Sequence, residues 1–384
     1  MFEPHGTRSI PLDQKCPSPA NRDSNLNGLL SFHVPLLTLE VAVKTTTHFI
    51  SKSALGLFLG LSLSAVIGCG GGQNGLGTGS ITVTPNYVAT IQAAGKEALP
   101  IAVNSTSNLV TVLNEGSNSV SFIDGSSNTV ASTVTVGNGP LSVDIDTKTG
   151  LAYVANSMDN TVSVVNPTSG AIIATVAVGQ GPEGISVNPT TGLVYVANSG
   201  DSSVSIINGA SNTVTATIAL AAKPSAIKVD PSTNVVYVAS GSGNSVSVID
   251  GPSNTVTQTI GVGVSSAGAP LTPVALDVDT TTDMVYIADQ GNTVSVLNGS
   301  TNKLAASVPV GNAPSDIAVD QATDMVYVVN SDDNTVSVIN GTSNAVSSTL
   351  NVASNSFGIA VDQTTNLVYV SSGTSIGVLK GLSN

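Results

Sequence analysis

The chain has 384 residues, of which 9% are charged, 3% are aromatic and none is Trp. Its formal net charge of −13 disfavours binding to nucleic acid or to an anionic lipid surface. Val, Thr, Ser, Ile and Asn dominate, which is typical of strands and turns, so we expect an all-β protein. The two cysteines, Cys16 and Cys69, are too few for a disulfide framework or a cysteine-based metal site.

An export signal precedes the part of the chain that we expect to fold. Residues 54–67 read ALGLFLGLSLSAVI, an apolar run with basic residues before it and Cys69 shortly after it. The run is too short to span a bilayer comfortably, but it has the length and flanks of a signal peptide. The segment 66–69, Val-Ile-Gly-Cys, resembles the lipobox of bacterial lipoproteins, in which the cysteine is acylated and becomes the new N-terminus. We therefore expect an exported protein that a lipid on Cys69 anchors to a membrane of the bacterial cell envelope, facing the periplasm or the cell surface.

These features divide the chain into four segments. Residues 1–42 precede the signal and hold several prolines without a period, so we interpret them as a disordered leader or as the product of a start codon assigned too early. The alternative is a long first region of the signal that is also removed. The signal peptide covers 43–68, a lipidated flexible linker covers 69–85, and the folded domain covers 86–384.

Processing at Cys69 would limit the chemistry of the mature chain, because every histidine and arginine lies upstream. A serine or cysteine nucleophile usually needs a histidine base, and zinc, copper and haem sites depend on His and Cys. We therefore predict no catalytic residue, no cofactor-binding residue and no metal ligand. The residues that would be removed are His5, His33, His48, Arg8 and Arg22.

A repeat of about 42 residues fills the remainder of the chain. Each copy has four short runs rich in Val, Ile and Thr, separated by Asn, Asp, Gly and Pro, and this pattern predicts four strands. Six copies carry a V-Y-V-like segment and the first copy has Thr111 in its place, so there are seven repeats. Because four-stranded units pack face to face around an axis, we predict a seven-bladed β-propeller of four-stranded antiparallel blades. We expect the repeated tyrosines to pack between blades: Tyr153, Tyr195, Tyr237, Tyr286, Tyr327 and Tyr369.

The turns and the chain ends follow from the same repeat. Asn-Gly and Asp-Gly pairs such as Asp124-Gly125 predict tight hairpins between the third and fourth strands, with positive φ angles at the pair. The last copy stops after its third strand, and residues 86–92, NYVATIQ, match the missing fourth strand. We predict that this segment pairs with residues 376–379 and closes the last blade, which removes an exposed sheet edge.

The recurring V-Y-V-A-N, N-T-V-S-V-I-N-G and G-x-x-P-x-x-I-A-V-D elements resemble the repeats of the YVTN β-propeller family over residues 86–384. This resemblance implies a propeller related to WD40-type folds and a place in the cell envelope or surface layer. It leaves function open, because similar propellers include lactonase-like enzymes, cytochrome-like domains and adhesion or scaffold modules. We expect a binding or scaffold module for an envelope protein, a glycan or a cation rather than an enzyme. The alternative is a metal-dependent lactonase-like hydrolase.

Candidate ligand-binding residues are those that depart from the consensus of the repeat. One inner-strand position is Ala or Ser in four copies but Asp144, Lys228 and Asp277 in the others. Lys228 and Asp277 fall in adjacent blades, so we favour an ion pair between them over a ligand contact. The end of the propeller that holds the blade connectors also carries acidic side chains: Glu183 and Asp316 on connectors, and Glu115, Asp159, Asp201, Asp289, Asp332 and Asp333 in loops.

These acidic loops suggest two interpretations. A Ca²⁺ ion bound by clustered Asp and Asn oxygens is chemically reasonable, although solvated loops need no ligand at all.

One connector, around 264–270, is about seven residues longer than the others and would project beside the channel mouth. We favour neutral variation in a surface loop over a role in binding as the explanation of this insertion.

Overall fold

The computed structural model describes residues 28–34, 37–43, 87–93, 95, 98–263 and 270–383. The chain divides into two compact units, Met1–Thr82 and Val83–Asn384. In the first unit, β1 (Gly28–Val34) pairs antiparallel with β2 (Leu37–Val43). The predicted signal peptide beyond Val43, the predicted lipidation site Cys69, the predicted linker 69–85 and most of the long connector lie outside the described residues.

The second unit is the predicted seven-bladed propeller. Each of its seven sheets has four antiparallel strands within the described residues. From the inner to the outer strand, the first blade has β4 (Ala98–Asn104), β5 (Leu109–Asn114), β6 (Ser119–Asp124) and β7 (Thr129–Thr135); the second has β8 (Pro140–Ile145), β9 (Ala152–Asn156), β10 (Thr161–Asn166) and β11 (Ala171–Ala177); and the third has β12 (Pro182–Asn188), β13 (Leu193–Asn198), β14 (Ser203–Asn208) and β15 (Thr213–Ala219). In the same order, the fourth blade has β16 (Ala226–Asp230), β17 (Val235–Ser240), β18 (Ser245–Asp250) and β19 (Thr255–Gly261); the fifth has β20 (Thr272–Asp279), β21 (Met284–Gln290), β22 (Thr293–Asn298) and β23 (Lys303–Pro309); and the sixth has β24 (Pro314–Asp320), β25 (Met325–Asn330), β26 (Thr335–Asn340) and β27 (Ala345–Asn351). The seventh and last blade has β28 (Ser356–Asp362), β29 (Leu367–Ser372), β30 (Ser375–Lys380) and, as its outer strand, β3 (Tyr87–Gln92). Two short 3₁₀ turns, Glu115–Ser117 and Gly241–Gly243, follow β5 and β17.

The hydrophobic core lies between the blades. The buried side chains form seven clusters, and each cluster combines residues of two successive blades. The middle strands are buried on both faces, because each blade packs against a neighbour on either side. This arrangement explains why the second strand of most repeats is a nearly continuous apolar run, such as LVYVAN in β13 and MVYVVN in β25.

The six repeated tyrosines pack between blades, as the sequence predicted. All six are almost fully buried. The Tyr195 hydroxyl donates to Asn234 Oδ1 of the next blade at 3.4 Å, and the Leu382 N–H donates to the Tyr327 hydroxyl at 2.7 Å. The hydroxyl groups of Tyr153, Tyr237 and Tyr286 lie close to turn glycines of the following blades, Gly209, Gly299 and Gly341.

The N-terminal strand closes the ring, which confirms the prediction for residues 86–92. Strand β3 pairs antiparallel with β30, with Ile91 opposite Ile376 and Tyr87 opposite Leu379. The Tyr87 ring lies so close to Gly377 that a Cβ there would come within 2.1 Å of it. Six other third strands have Ser at this position, so the glycine of the last copy makes room for the tyrosine of the closing strand.

The hairpin turns differ from the prediction in one detail. Positive φ occurs not at the Asp-Gly or Asn-Gly pair but at the Asn four residues after its first member, as at Asn128 with φ 55°. The Asp124 carboxylate instead accepts the Ser126 N–H at 2.8 Å. This bond shapes the first half of the turn, and Asn tolerates the left-handed conformation in the second half.

Candidate functional site

The inner strands of the seven blades surround a central channel with a cavity of about 600 Å³. Equivalent repeat positions form rings of side chains around it. The outermost ring, called here the mouth ring, includes Leu141, Glu183, Ser225, Val274, Ser315 and Phe357. A deeper ring includes Ala102, Asp144, Lys228, Asp277, Ala318 and Ala360.

Three aspartates of the channel wall each link two adjacent blades. Asp144 accepts the N–H of Ile145 on its own strand at 2.8 Å and the N–H of Val187 on the next blade at 2.9 Å. Both oxygens of the carboxylate are therefore bonded to the main chain. Asp144 lies where the sequence placed it, on an inner strand facing the channel.

Asp277 and Asp316 repeat this geometry. Asp277 accepts the N–H groups of Val278 and Val319, both at 2.9 Å. Asp316 accepts those of Ile317 and Ile359, again both at 2.9 Å. The structure corrects the placement of Asp316 and Glu183, which lie within the inner strands β24 and β12 and not on connectors.

The edge of each inner strand explains why these acceptors are needed. An inner strand pairs with its own blade on one side only, so amide groups on the other side face the channel and lack a ladder partner. Ser142 and Ser186 meet the same need, accepting the N–H groups of Ile185 and Val229 at 3.2 Å. The repeat thus uses Asp or Ser to satisfy edge amides of the next blade.

Lys228 forms the predicted ion pair with Asp277. The distance from Nζ to Oδ1 is 3.1 Å, and the exposed fractions of the two side chains are 38% and 15%. The Asp277 carboxylate raises the pKa of Lys228 above its usual value, against the opposing effect of burial. Lys228 is therefore a cation at neutral pH, and its charge is directed to Asp277.

Burial changes the proton affinity of the other two channel aspartates. It raises the pKa of Asp316 to about 7, and the amide hydrogen bonds from Ile359 and Ile317 only partly oppose this effect. It also raises the pKa of Asp144 above its usual value, although the Lys228 charge acts in the opposite direction. The channel wall is thus a poorly solvated polar surface.

Phe357 is a residue of the site that the sequence analysis missed. It lines the channel mouth and its side chain is 43% exposed. The pairing register of β28 shifts between Ser356 and Ile359, which places Phe357 in a β-bulge, a feature that redirects side chains. Comparing the copies at the mouth-ring position would have revealed it, because no other copy has an aromatic residue there.

The acidic loops serve mainly to hold the blade connectors. The Asn138 N–H donates to Asp159 Oδ2 at 2.7 Å, and the Asn312 N–H donates to Asp333 Oδ2 at the same distance. Asp201 accepts the Gln180 N–H at 2.8 Å in the same way.

The two remaining candidates, Asp332 and Glu183, differ in their position relative to the cavity. Asp332 is exposed in the turn after β25 and does not line the cavity, so the structure does not bring it together with the channel candidates. Glu183 does line the mouth and accepts the Ser199 hydroxyl at 2.6 Å.

Asp289 is not part of the acidic surface to which its sequence position assigned it. Its side chain is 0% exposed, and Ser295 Oγ donates to its Oδ2 at 2.6 Å. The reason is that Asp289 occupies the last buried position of β21, where four other blades have an asparagine under the connector. Its carboxylate is therefore closed off from ligands in solution.

Two further observations bear on binding. Among the described residues, no three His, Cys, Asp or Glu side chains come together as metal ligands. Within the same residues, no helix has the length and apolar character needed to cross a membrane.

A family model for YNCE-like β-propellers matches residues 185–379, about half of the chain. The chain belongs to the YNCE-like β-propeller family. This membership agrees with the YVTN-type repeats in the sequence, and the remaining blades continue the same fold toward the N-terminus. No curated protein matches the chain. Among solved structures, hydrazine synthase of Kuenenia stuttgartiensis is similar at 15% identity and a TM-score of 0.67, covering 77% of this chain and 98% of that one, which shows a shared fold only.

Proposed function

We propose that this propeller is a binding module of the bacterial cell envelope that holds a ligand in its central channel. The observation that carries the proposal is that the cavity gathers the residues that depart from the repeat consensus, including Lys228, Asp316 and Phe357. No other blade has a lysine at the position of Lys228 or an aromatic residue at that of Phe357, and Asp316 combines its hydrogen bonds between blades with a place on the cavity wall. Ligand sites are typically concave and use a few placed polar groups to orient the ligand.

The state of the channel carboxylates favours binding over hydrolysis. A metal-dependent lactonase-like hydrolase would need carboxylates from several blades to meet at one metal ion. In this channel, Asp144, Asp277 and Asp316 instead link adjacent blades through main-chain hydrogen bonds, and among the described residues no three acidic side chains come together as metal ligands. Processing at Cys69 would also remove every histidine that could act as a general base.

Attachment to the membrane is the second part of the proposal. A lipid on Cys69, followed by the glycine-rich segment 70–80, would tether the propeller to a membrane surface while leaving its channel open to ligands. Cys69→Ala should move the protein from the membrane fraction to the soluble fraction, and Cys16→Ala is the matched control that should stay with the membrane. Equal fractionation of the two variants would contradict lipidation at Cys69.

Capture of small molecules from an envelope extract tests the channel. Leu141→Trp adds bulk at the mouth, because Leu141 lines the cavity, and Ile172→Trp adds the same bulk to the exposed outer strand β11. The purified full-length wild type and the Ile172 variant should retain the same compound, identified by mass spectrometry, and the Leu141 variant should lose it. Equal retention by two folded variants would contradict binding in the channel.

A further inference from the structure

The channel mouth has two chemically different sides. Phe357 and Leu141 supply apolar surface from the last and second blades, and Pro100 lies on the first blade between them. Across the channel, Lys228 and Asp277 supply charged groups from the fourth and fifth blades, and the Asp316 carboxyl group lies on the sixth blade, next to the blade of Phe357. A ligand that filled the cavity would contact both sides at once.

The position of Phe357 is fixed by the same contacts that fix Asp316. Ser315 Oγ donates to the Phe357 main-chain oxygen at 2.9 Å, and Asp316 Oδ2 accepts the Ile359 N–H at 2.9 Å. The Gly358 N–H donates to Ser371 Oγ at 2.8 Å, which ties the bulge to its own blade. The main chain that carries the exposed Phe357 ring is therefore held by hydrogen bonds to the neighbouring blade and to its own blade, and a preorganised main chain lowers the entropic cost of binding.

The charge of the cavity selects the sign of the ligand. Of the described residues, four carboxylate residues line it, Asp144, Glu183, Asp277 and Asp316, against one ammonium group, that of Lys228. Lys228 is paired with Asp277, so it offers little to an anion. A channel with low-dielectric walls concentrates counter-ions of the opposite sign. An aromatic face adds attraction for an organic cation within about 6 Å of the ring centre.

We propose that the channel mouth binds a small organic cation that carries an ammonium group on an apolar portion. The apolar portion packs against Phe357 and Leu141, and the ammonium group lies on the side of Asp316, where its positive charge would favour the ionised form of that carboxyl group. This inference rests on the proposed function and names the class of ligand for the same cavity.

Titration of the purified full-length protein with three isosteric probes tests this class. The probes are 2-phenylethylammonium, the neutral 2-phenylethanol and the anionic 3-phenylpropanoate, followed by ligand-observed NMR or calorimetry. We expect the ammonium probe to bind at least about tenfold more tightly than the alcohol, a preference of roughly 1.4 kcal/mol, with no binding of the carboxylate. Equal binding of the ammonium probe and the alcohol would overturn the proposal.

Variants locate the site and separate binding from folding. Phe357→Ala and Asp316→Asn should each weaken binding of the ammonium probe about tenfold. Met158→Ala and Asp332→Asn are matched controls, because both residues are exposed and lie outside the cavity, and they should leave binding unchanged. Lys228→Met removes the competing cation and should tighten binding severalfold, a gain that partial unfolding would not produce. Weaker binding by this last variant would contradict the assignment.

The two proposals fail in different ways. If Leu141→Trp abolishes capture from the envelope extract but the ammonium probe does not bind the wild type, the channel is a binding site for another class of ligand. In that case the proposed function stands and the inferred ligand class is wrong. If Leu141→Trp changes neither the capture of a compound from the extract nor the binding of the ammonium probe, then both the proposed function and the inferred ligand class are wrong.

Discussion

Asp289 and Ser295 form a buried hydrogen bond of 2.6 Å in the fifth blade, between positions that pair an asparagine with a serine in four other blades. In the second blade, for example, Asn156 Nδ2 donates to Thr161 Oγ1 at 3.0 Å and to Ser163 Oγ at 2.9 Å. In the fifth blade, the carboxylate cannot donate when it is ionised, and both Asp289 Oδ1 and Thr293 Oγ1 are buried without a hydrogen-bond partner.

Asp289→Asn should therefore stabilise the propeller at neutral pH. Burial raises the pKa of Asp289 to about 6, above its unfolded value near 3.8, so ionisation destabilises the folded state. The penalty is absent below about pH 4, grows between pH 4 and 6, and is complete above pH 6, where it is about 3 kcal/mol. The amide should also restore a donor toward Thr293, which adds about 1 kcal/mol.

Denaturant unfolding of the wild type and of this variant at pH 4 and pH 7.5 checks that prediction. The advantage of the variant should be about 1 kcal/mol at pH 4 and larger by about 3 kcal/mol at pH 7.5. Ser295→Ala serves as a control for the loss of one hydrogen bond at the same place. An advantage that does not change with pH would show that the Asp289 carboxylate is not the source.

Asp277→Asn should destabilise the protein more than Lys228→Met. Asp277 links two blades through main-chain hydrogen bonds, whereas the Lys228 ammonium is partly exposed and its ion pair is screened by solvent. We expect a loss of about 1–3 kcal/mol for the aspartate variant and less than about 1 kcal/mol for the lysine variant. Thermal melting at low and high salt measures both, and a larger loss for the lysine variant would contradict this ranking.

Asp333→Ala should lower the melting temperature slightly, whereas Asp332→Ala should not change it. Asp333 accepts two hydrogen bonds from Asn312, at 2.7 and 2.9 Å, and so holds the connector before the sixth blade. Its neighbour Asp332 is exposed and does not make these bonds. We expect a loss of about 1–2 °C for the first variant, because both partners are exposed. The same melting temperature for both variants would show that the connector bond is not stabilising.

Gly377→Ala should weaken the closure of the ring. The added methyl group would overlap the Tyr87 ring, and such overpacking typically costs about 1–3 kcal/mol. Tyr87 also accepts the Ala353 N–H at 2.8 Å, so displacing its ring would break a second contact. In a Tyr87→Ala background the glycine substitution should become nearly neutral, and thermal melting of the four proteins gives this coupling. An equal cost in both backgrounds would contradict a clash with Tyr87.

The repeat made most of the fold predictable. The interval between the tyrosines gave the number of blades, and the unpaired last copy led to the closing strand, because a propeller buries its core only between complete blades. The pattern was less informative about turns, since Asn128 and Gly125 are both turn residues and only the backbone shows which one has positive φ. Cys69 and the long connector lie outside the described residues, so their proposed roles stay predictions.

The site was predictable only in part. Asp144, Lys228 and Asp277 stood out because they differ from the other copies at one position, and the ion pair followed from their opposite charges. Sequence spacing did not show that the aspartates satisfy the edge amides of neighbouring strands. Nor did it show that Asp289 is buried, since burial depends on the connector that packs over it.

The central claim is that the channel holds a ligand without changing it. The most direct measurement is a mass-spectrometric time course of the captured compound, incubated with the purified full-length protein and with the folded Leu141→Trp and Ile172→Trp variants. We predict one molecule bound per chain for the wild type and the Ile172 variant, none for the Leu141 variant, and an unchanged mass of the compound after prolonged incubation. Conversion of the compound by the wild type, or equal occupancy in the Leu141 variant, would contradict the account.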